Sequence, residues 1–417
     1  MYRVTGNSMK NDLVFNLQNN MQTMDRLHNN LATGKKVRTP REDVVSATHA
    51  MLYRTRITQI RQYITNIEEG TERLTVADSS LSSVTDILHR LQELAVQAAN
   101  GIYTDEDRAK IAVEVDELLQ QMLQTANSKF KDEAIFAGYR TDIDPFFPVY
   151  GKPAWADREV IVGVNYRGDI GKQNREIEQG EYVPINIAGN TVFQTTNQVL
   201  TTTVDVANYT APANSRIRIN GKVIDINAGD NIDTIIAKIN TANLPLWLSK
   251  TNPLAAGEPT TLQLTTTSPH ELWLEDIEGG RILQDLGLAD AALRANQAPS
   301  GSSRSGLNIF ETVIQFRDDL WKGNIKEIGG RDIAMIQMSL DNVLKYNAEI
   351  GARLHRLETV KWRLEHDDTS MTEILAKTEN IDFPETIMNL KMLEYIHQSA
   401  LASGARIIKP SLVDFLR

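Results

Sequence analysis

The sequence predicts an α+β protein: a long antiparallel, coiled-coil-like helical core from both chain ends, with an inserted, mainly β middle domain. Apolar residues recur in steps of three and four near both ends of the chain, a 3.5-residue period that is typical of a coiled-coil seam. Between these segments, Gly and Pro separate short β-type runs. Two long helices from opposite ends of one chain can pack on each other, so the sequence between them becomes an insertion.

Composition narrows the classes of protein. The 417 residues carry 44 Lys and Arg against 54 Asp and Glu, a net charge of −10. This balance argues against a nucleic-acid partner, because such proteins present a basic surface. No apolar run approaches the roughly 18 residues of a membrane-spanning helix, so no membrane partner is expected. The first residues lack the apolar stretch of a cleaved secretory signal, which favours a cytoplasmic protein or one exported by another route.

The first helix is predicted from one narrow apolar stripe that Gly34 closes as a C-terminal cap. The stripe consists of Leu13, Leu17, Asn20, Met24, Leu27 and Leu31. No second stripe is expected on this helix, and an isolated helix of this length is marginal in water. We therefore predict that its apolar residues form an assembly interface.

The second helix is predicted to be about 50 residues long, since its seam continues from residue 53 to residue 98. Its seam residues are Tyr53, Ile57, Ile60, Ile64, Ile67, Leu74, Ala77, Leu81, Val84, Leu88, Leu91, Ala95 and Ala98. Two consecutive steps of three meet at Leu74 and predict a stammer. Asn100 and Gly101 end the helix, and Thr104 with Asp107 predicts a capping box for a third helix.

The middle of the chain is predicted to be a separate, mainly β domain. Its clearest unit is a hairpin over residues 216–226, in which alternating Ile residues flank Asn220-Gly221. A short amphipathic helix over residues 232–239 and a strand over 260–265 follow. The domain is predicted to end in the Gly- and Ser-rich stretch near Gly306.

Helical periodicity returns after the insertion. A helix over residues 309–320 stops at Gly323, and a second long seam runs from Ile333 to Leu364. A last helix begins near residue 382, and its apolar residues and those of the terminal segment complete the predicted interface: Leu390, Leu393, Ile396, Leu401, Leu412, Phe415 and Leu416. We predict three domains: 1–44 with 379–417 as a terminal helical domain, 45–140 with 305–378 as the helical core, and 141–304 as the outer domain.

No catalytic, cofactor-binding or metal site is predicted, and the chain is not expected to be an enzyme. The seven His residues are scattered, and the absence of Cys excludes thiolate metal sites and cysteine nucleophiles. A calcium loop over residues 225–236 is rejected because its last position is Ile236 instead of Glu. An alternative is an extracellular glycan-binding or enzymatic module on a helical stalk, which would need an exposed platform of Trp155, Trp247 and Trp273.

Five segments together resemble the flagellin superfamily, and within it the subunits that join hook to filament. They are residues 30–43, 99–108, 135–141, 349–358 and 411–416, and the resemblance covers about 1–141 and 305–417. Val44 stands where the family usually has Pro. The positions that match the family's motifs are Gly34, Asp43, Asp105, Arg108, Gly351, Arg353 and Leu354.

The resemblance implies a structural role. The expected subunit is exported by the flagellar type III apparatus and held by a chaperone before assembly. It would self-associate into a ring between another hook-associated protein on the hook side and flagellin on the filament side. Its terminal helices would order only on assembly. The alternative within the family is a filament flagellin, and the flagellum could be external or enclosed in a periplasm.

Overall fold

The computed structural model describes residues 6–251, 259–277, 279–289 and 303–407. The chain divides into two compact units, one of residues 1–64 with 361–417 and one of residues 65–360. The three-domain division expected from the sequence is a different one and stays a prediction.

The long helices lie towards the two ends of the chain, and three short helices lie in the middle. The helices are α1 (Gly6–Thr33), α2 (Val44–Ala98), α3 (Asp105–Ala126), α4 (Gly189–Val192), α5 (Ile232–Thr241), α6 (Ile282–Asp285), α7 (Ile309–Lys322), α8 (Ile325–Glu327), α9 (Ile333–Glu379) and α10 (Phe383–Ile407). A π-helical turn, Ile328–Asp332, lies between α8 and α9.

Strands occupy the middle of the chain. They are β1 (Lys129–Phe130), β2 (Glu133–Ala134), β3 (Phe146–Gly151), β4 (Val160–Tyr166), β5 (Asn174–Glu178), β6 (Glu181–Pro184), β7 (Val199–Thr201), β8 (Ser215–Ile219), β9 (Lys222–Ile226), β10 (Leu246–Thr251), β11 (Thr261–Thr266), β12 (Leu274–Ile277) and β13 (Ser303–Ser305). The mainly β character predicted for the insertion is confirmed.

The two predicted seams are buried, and the helices that carry them are antiparallel. Within residues 65–360, Gln92 Nε2 donates a hydrogen bond to Gln337 Oε1 at 2.7 Å, and Asn347 Nδ2 donates to Ser82 Oγ at 3.4 Å. Since the residue number falls along α2 as it rises along α9, the two helices run in opposite directions. The seam residues that are fully buried include Ile67, Leu74, Leu81, Leu88, Ile336, Val343, Ile350 and Leu357. The coiled-coil-like core expected from the 3.5-residue period is confirmed.

Two further helices complete the helical part of the same unit. The predicted capping box begins α3: Thr104 accepts a hydrogen bond from the Asp107 backbone, and the Asp107 side chain accepts one in return. Helix α7 packs along α3, and Gly323 closes it at a φ of 68°. Between these helices the fully buried Arg317 guanidinium donates to Asp116 Oδ1 at 2.8 Å.

The insertion is built from antiparallel strand pairs. The predicted hairpin is β8 and β9, and its turn places Asn220 at a φ of 47° and Gly221 at 81°, as a type I′ turn requires. Strands β12, β8 and β9 form one sheet in that order, and β10, β11, β7 and β13 form another. Together with α5 they enclose a core that includes Ile217, Ile219, Ile235, Ile239, Leu248 and Leu264.

Three polar side chains of α9 hold the start of the insertion. Asn342 Nδ2 lies 2.8 Å from the carbonyl oxygens of both Val192 and Gln194. The hydroxyls of Ser339 and Thr195 are 2.7 Å apart. Arg353 Nη1 donates to the carbonyl of residue 186 at 3.1 Å. Because the acceptors of Asn342 and Arg353 are backbone carbonyls that a loop would otherwise leave buried and unpaired, these contacts fix the loop's path along the helix.

Candidate assembly surface

The two terminal helices, α1 and α10, pack on each other. A Cβ atom added at Gly34 would lie 3.6 Å from Phe383 Cζ, and one at Gly404 would lie 2.5 Å from Leu13 Cδ2. The end of α1 therefore meets the start of α10, and the start of α1 meets the end of α10. The stripe on α1 has a partner within its own chain.

The predicted interface residues lie mostly along the contact between α1 and α10. Half-buried positions are Leu13, Leu17, Met24, Leu27, Leu31 and Leu393. Leu390 is buried, whereas Ile396 and Leu401 are exposed. Leu412, Phe415 and Leu416 lie outside the described residues. The role of this set in contacts between subunits remains a proposal.

Sequence reasoning missed a second apolar face on both terminal helices. On α1 the exposed residues include Val14, Phe15 and Met21, and Phe15 is 63% exposed. On α10 they include Met388, Met392 and Tyr395. The stripe expected on the first helix is half-buried, and the exposed apolar residues lie outside it. The signal was present in the sequence, since residues 388, 392 and 395 are spaced by four and three, the steps of one helix face.

The first turns of α2 carry a third exposed apolar group. It comprises Val44, Val45, Met51 and Leu52, each more than 60% exposed. These residues repeat at a spacing of seven and so share one side of the helix. The seam prediction began at residue 53 and did not include them. Contiguous exposed apolar surface of this kind marks interaction sites on soluble proteins.

A buried carboxylate fixes the loops at the inner ends of α1 and α10. Glu379 is 3% exposed, forms an ion pair with Lys35, and accepts a hydrogen bond from Arg54 Nη2 at 2.5 Å. Its backbone carbonyl accepts a hydrogen bond from the Lys36 N–H at 2.6 Å. Burial alone would raise the pKa of Glu379, but the hydrogen bonds from Lys35 and Arg54 bring it below its ordinary value.

Two motif positions of the first loop have local structural roles. Gly34 adopts a φ of 69° and donates its N–H to the Asn30 carbonyl, which is the predicted C-terminal cap. Asp43 caps the N-terminus of α2, because its Oδ1 accepts from the N–H groups of Val45 and Ser46 at 3.0 and 3.1 Å. The Ser46 hydrogen bonds lower the pKa of Asp43. The turn forms with Val44 in place of the family's Pro.

Arg108 is a structural residue at the turn between α2 and α3. It is 2% exposed, and its Nε donates to the Ala98 carbonyl at 3.1 Å. Its two terminal nitrogens donate to Asp105 Oδ1 at 3.1 Å and to the Asn100 carbonyl at 3.3 Å. The guanidinium thus pairs carbonyl groups that the end of α2 leaves without helical partners.

The three motif residues of α9 differ in their contacts. Arg353 binds the insertion's backbone as described above, and Leu354 is half-buried. Gly351 is exposed, and a Cβ atom added there would meet nothing within 4 Å. An exposed Gly on a helix permits another backbone to approach closely.

The aromatic platform that the alternative glycan-binding module would need does not form. Trp155 stacks on Trp321 with ring centroids 5.2 Å apart, and Trp273 is 9% exposed. Trp247, by contrast, is 59% exposed. The part of the chain that the structure describes contains no group of three or more His, Asp or Glu side chains placed to hold a metal ion. Its helices also include none with the length and hydrophobicity needed to cross a bilayer.

Comparison with known proteins finds a family model that matches the N-terminal part of the chain. The description "Bacterial flagellin N-terminal helical region" matches residues 4–141, which contain α1, α2 and α3. These residues are therefore similar to the N-terminal helical region of bacterial flagellins.

The curated proteins that the chain resembles include both a hook-associated protein and filament proteins. Flagellar hook-associated protein 3 of Escherichia coli is 35% identical over 123 residues, which cover 29% of this chain and 39% of that protein. The flagellar filament 31.3 kDa core protein of Treponema maltophilum is 36% identical over 97 residues, covering 23% of this chain and 34% of that protein. The chain thus spans less than half the length of each of these relatives.

A solved flagellar structure aligns with more of the chain. The crystal structure of flagellar hook associated protein-3 from Legionella pneumophila covers 79% of this chain and 97% of its own, with 20% identity and a TM-score of 0.45.

Proposed function

We propose that this chain is the structural subunit that joins the hook of the bacterial flagellum to its filament. The observation that carries the proposal is the paired terminal helices α1 and α10, which expose apolar side chains on their outer faces within a flagellin-superfamily chain. Covering such faces with another molecule removes apolar surface from water and so stabilises the complex. Self-association into a ring supplies that cover laterally.

The resemblance to the flagellin superfamily supports two further partners, one above and one below the ring. Another hook-associated protein would contact the ring on the hook side, and flagellin would contact it on the filament side. Apolar outer faces need protection before assembly, so an export chaperone would bind them in the cell. The assembled subunit would then be extracellular, or periplasmic if the flagellum is enclosed.

A filament flagellin is the second candidate. The filament core protein of Treponema maltophilum matches at 36% identity, about the same as the junction protein of Escherichia coli. The longer aligned segment, 123 residues against 97, favours the junction role. The two candidates differ in copy number, since a junction ring is a single layer and a filament is a bulk polymer.

A glycan-binding or enzymatic module on a helical stalk has weaker support. Trp155 and Trp273 are packed into the fold, so among the three residues only Trp247 offers a stacking surface. A binding function in the insertion would need another platform.

Site-specific labelling on isolated flagella tests the proposal. The chain lacks Cys, so Gln179→Cys at the exposed turn between β5 and β6 creates a single thiol for gold or a fluorophore. A single band between hook and filament supports the junction subunit. Label along the whole filament would establish a flagellin, and flagella without label would overturn both assignments.

A further inference from the structure

The chain contains two Asn-Gly pairs, and the side chains of the two Asn residues form different hydrogen bonds. One is Asn100-Gly101, in the exposed turn between α2 and α3. The other is Asn220-Gly221, at the tip of the β8–β9 hairpin. An Asn followed by Gly is the sequence most open to attack of the next backbone nitrogen on the side-chain amide, because Gly has no Cβ to obstruct it.

The Asn100 side chain is held over the following residue. Its Oδ1 accepts a hydrogen bond from the Ile102 N–H at 3.2 Å, two residues ahead, so the amide carbon is folded back along the peptide of Gly101. The same N–H stabilises negative charge that develops on Oδ1 during attack. A Cβ added at Gly101 would meet nothing within 4 Å, so the turn has room to rearrange.

The Asn220 side chain is tied in the opposite sense. Its Nδ2 lies 2.8 Å from His270 Nε2, and its Oδ1 accepts from the Trp273 N–H at 2.9 Å. His270 Nδ1 lies 2.8 Å from the Ser268 carbonyl, so Nδ1 donates there and Nε2 accepts from Asn220. Both ends of this amide are therefore engaged by a neighbouring segment.

We propose that Asn100 is a site of spontaneous deamidation in the folded protein and that Asn220 is protected from it. The Gly101 nitrogen attacks Asn100 Cγ, an N–Cγ bond forms, and the Cγ–Nδ2 bond breaks. The proton of the attacking nitrogen leaves with the amide as ammonia. Water then opens the cyclic imide at either carbonyl, which gives aspartate or isoaspartate without any oxidant or cofactor.

Deamidation of Asn100 would change a contact of the motif residue Arg108. The carbonyl of Asn100 is one of the acceptors of the buried Arg108 guanidinium, at 3.3 Å. Isoaspartate routes the main chain through the side-chain carbon, which lengthens the turn and converts that carbonyl into a free carboxylate. The aspartate product also adds a negative charge, in its side chain, to an acidic turn that already contains Asp105 and Asp107.

Peptide mass spectrometry of the folded, full-length protein during incubation at neutral pH tests the inference. We expect Asn100 to convert about thirtyfold faster than Asn220, since two ordinary hydrogen bonds must break before Asn220 can react. In denaturant the two rates should become equal. Equal rates in the folded protein, or faster conversion at Asn220, would overturn the proposal.

Two variants separate the causes. A Cβ atom at residue 101 would lie in open space, so Gly101→Ala should keep the fold. The added Cβ should obstruct the attack and suppress conversion at Asn100. His270→Ala removes the acceptor of Asn220 and should accelerate conversion at Asn220 alone, with circular dichroism to verify folding. Unchanged conversion at Asn100 in the first variant contradicts the assigned attack, and no acceleration in the second contradicts the protection.

Discussion

At the residue scale, two ionised groups lie deep in the helical bundle with very different partners. Arg317 is fully buried, donates to Asp116 and Asp318, and lies over the Trp155 ring at 5.0 Å from its centroid. Asp332, in the π-helical turn, is 2% exposed, and its Oδ2 has no hydrogen-bond partner. The first group is paired, while the second retains an uncompensated oxygen atom.

Removing the buried partner of Asp116 should be costly. Arg317→Ala leaves that carboxylate buried without its short hydrogen bond, so we expect a loss of about 3–5 kcal/mol in the free energy of unfolding. Arg158 also pairs with Asp116, at 3.3 Å, but its side chain is 68% exposed. Arg158→Ala should therefore cost less than about 1 kcal/mol. Equal losses in urea denaturation would contradict this ranking.

Asp332 should make stability depend on pH. Burial raises the pKa of its carboxyl to about 6, although the Arg331 hydrogen bond opposes the shift. Because the unfolded state, with a pKa near 3.8, gives up its proton first, this group's contribution falls as pH rises from about 4 through 6. Asp332→Asn should stabilise the protein at neutral pH by about 1–2 kcal/mol and by little at pH 4. A gain independent of pH would contradict it.

At the element scale, two glycines contrast a capping position with an open helix position. Gly34 ends α1 at a φ of 69°, a left-handed conformation in which a side chain is strained. Gly351 lies inside α9 with open space around it. Glycine therefore stabilises the first position and weakens the second.

The same substitution should have opposite effects at these two positions. Gly34→Ala should lower the free energy of unfolding by about 1 kcal/mol through backbone strain. Gly351→Ala should raise it by about 0.5–1 kcal/mol, since Ala is the better helix former. Thermal unfolding of both variants checks the prediction. Destabilisation by Gly351→Ala in the monomer would indicate that a neighbour already contacts that position.

At the scale of the whole molecule, folding and assembly depend on different faces of the helices in the terminal unit. Its inner stripe pairs α1 with α10, and its outer faces remain exposed. A polar group on an outer face costs the monomer little, whereas one in the stripe must be desolvated without a partner. Substitutions on the two faces should therefore fail at different stages.

A double variant of the outer faces tests this separation. Phe15→Asp with Met392→Asp should leave the helix content of the monomer unchanged and abolish incorporation into flagella, because both side chains are exposed. Asn16→Asp, an exposed polar position on α1 away from Val14 and Met21, is the matched control and should be incorporated normally. Leu17→Asp with Leu27→Asp should instead reduce helix content. Normal incorporation of the outer-face variant would contradict the proposed interface.

Much of the fold could be predicted because the patterns that encode it are local. The seam of α2, the capping box at Thr104 and the type I′ turn at Asn220 each depend on residues within a few positions of one another. Apolar periodicity also predicts which face of a helix is buried. It does not predict which neighbour covers that face, and so the partner of α1 was left open.

The sequence alone determined the long antiparallel seams, the inserted β-rich domain and the resemblance to the flagellin superfamily. Only the tertiary structure decided that α1 packs on α10, that apolar outer faces remain exposed, and that Glu379 and Arg317 are buried with their partners. Arg317 and Asp116 are 201 residues apart in the chain. Pairings over such distances in sequence depend on how whole helices pack. In the low-dielectric interior, the stability of a buried charge depends strongly on its nearest partner.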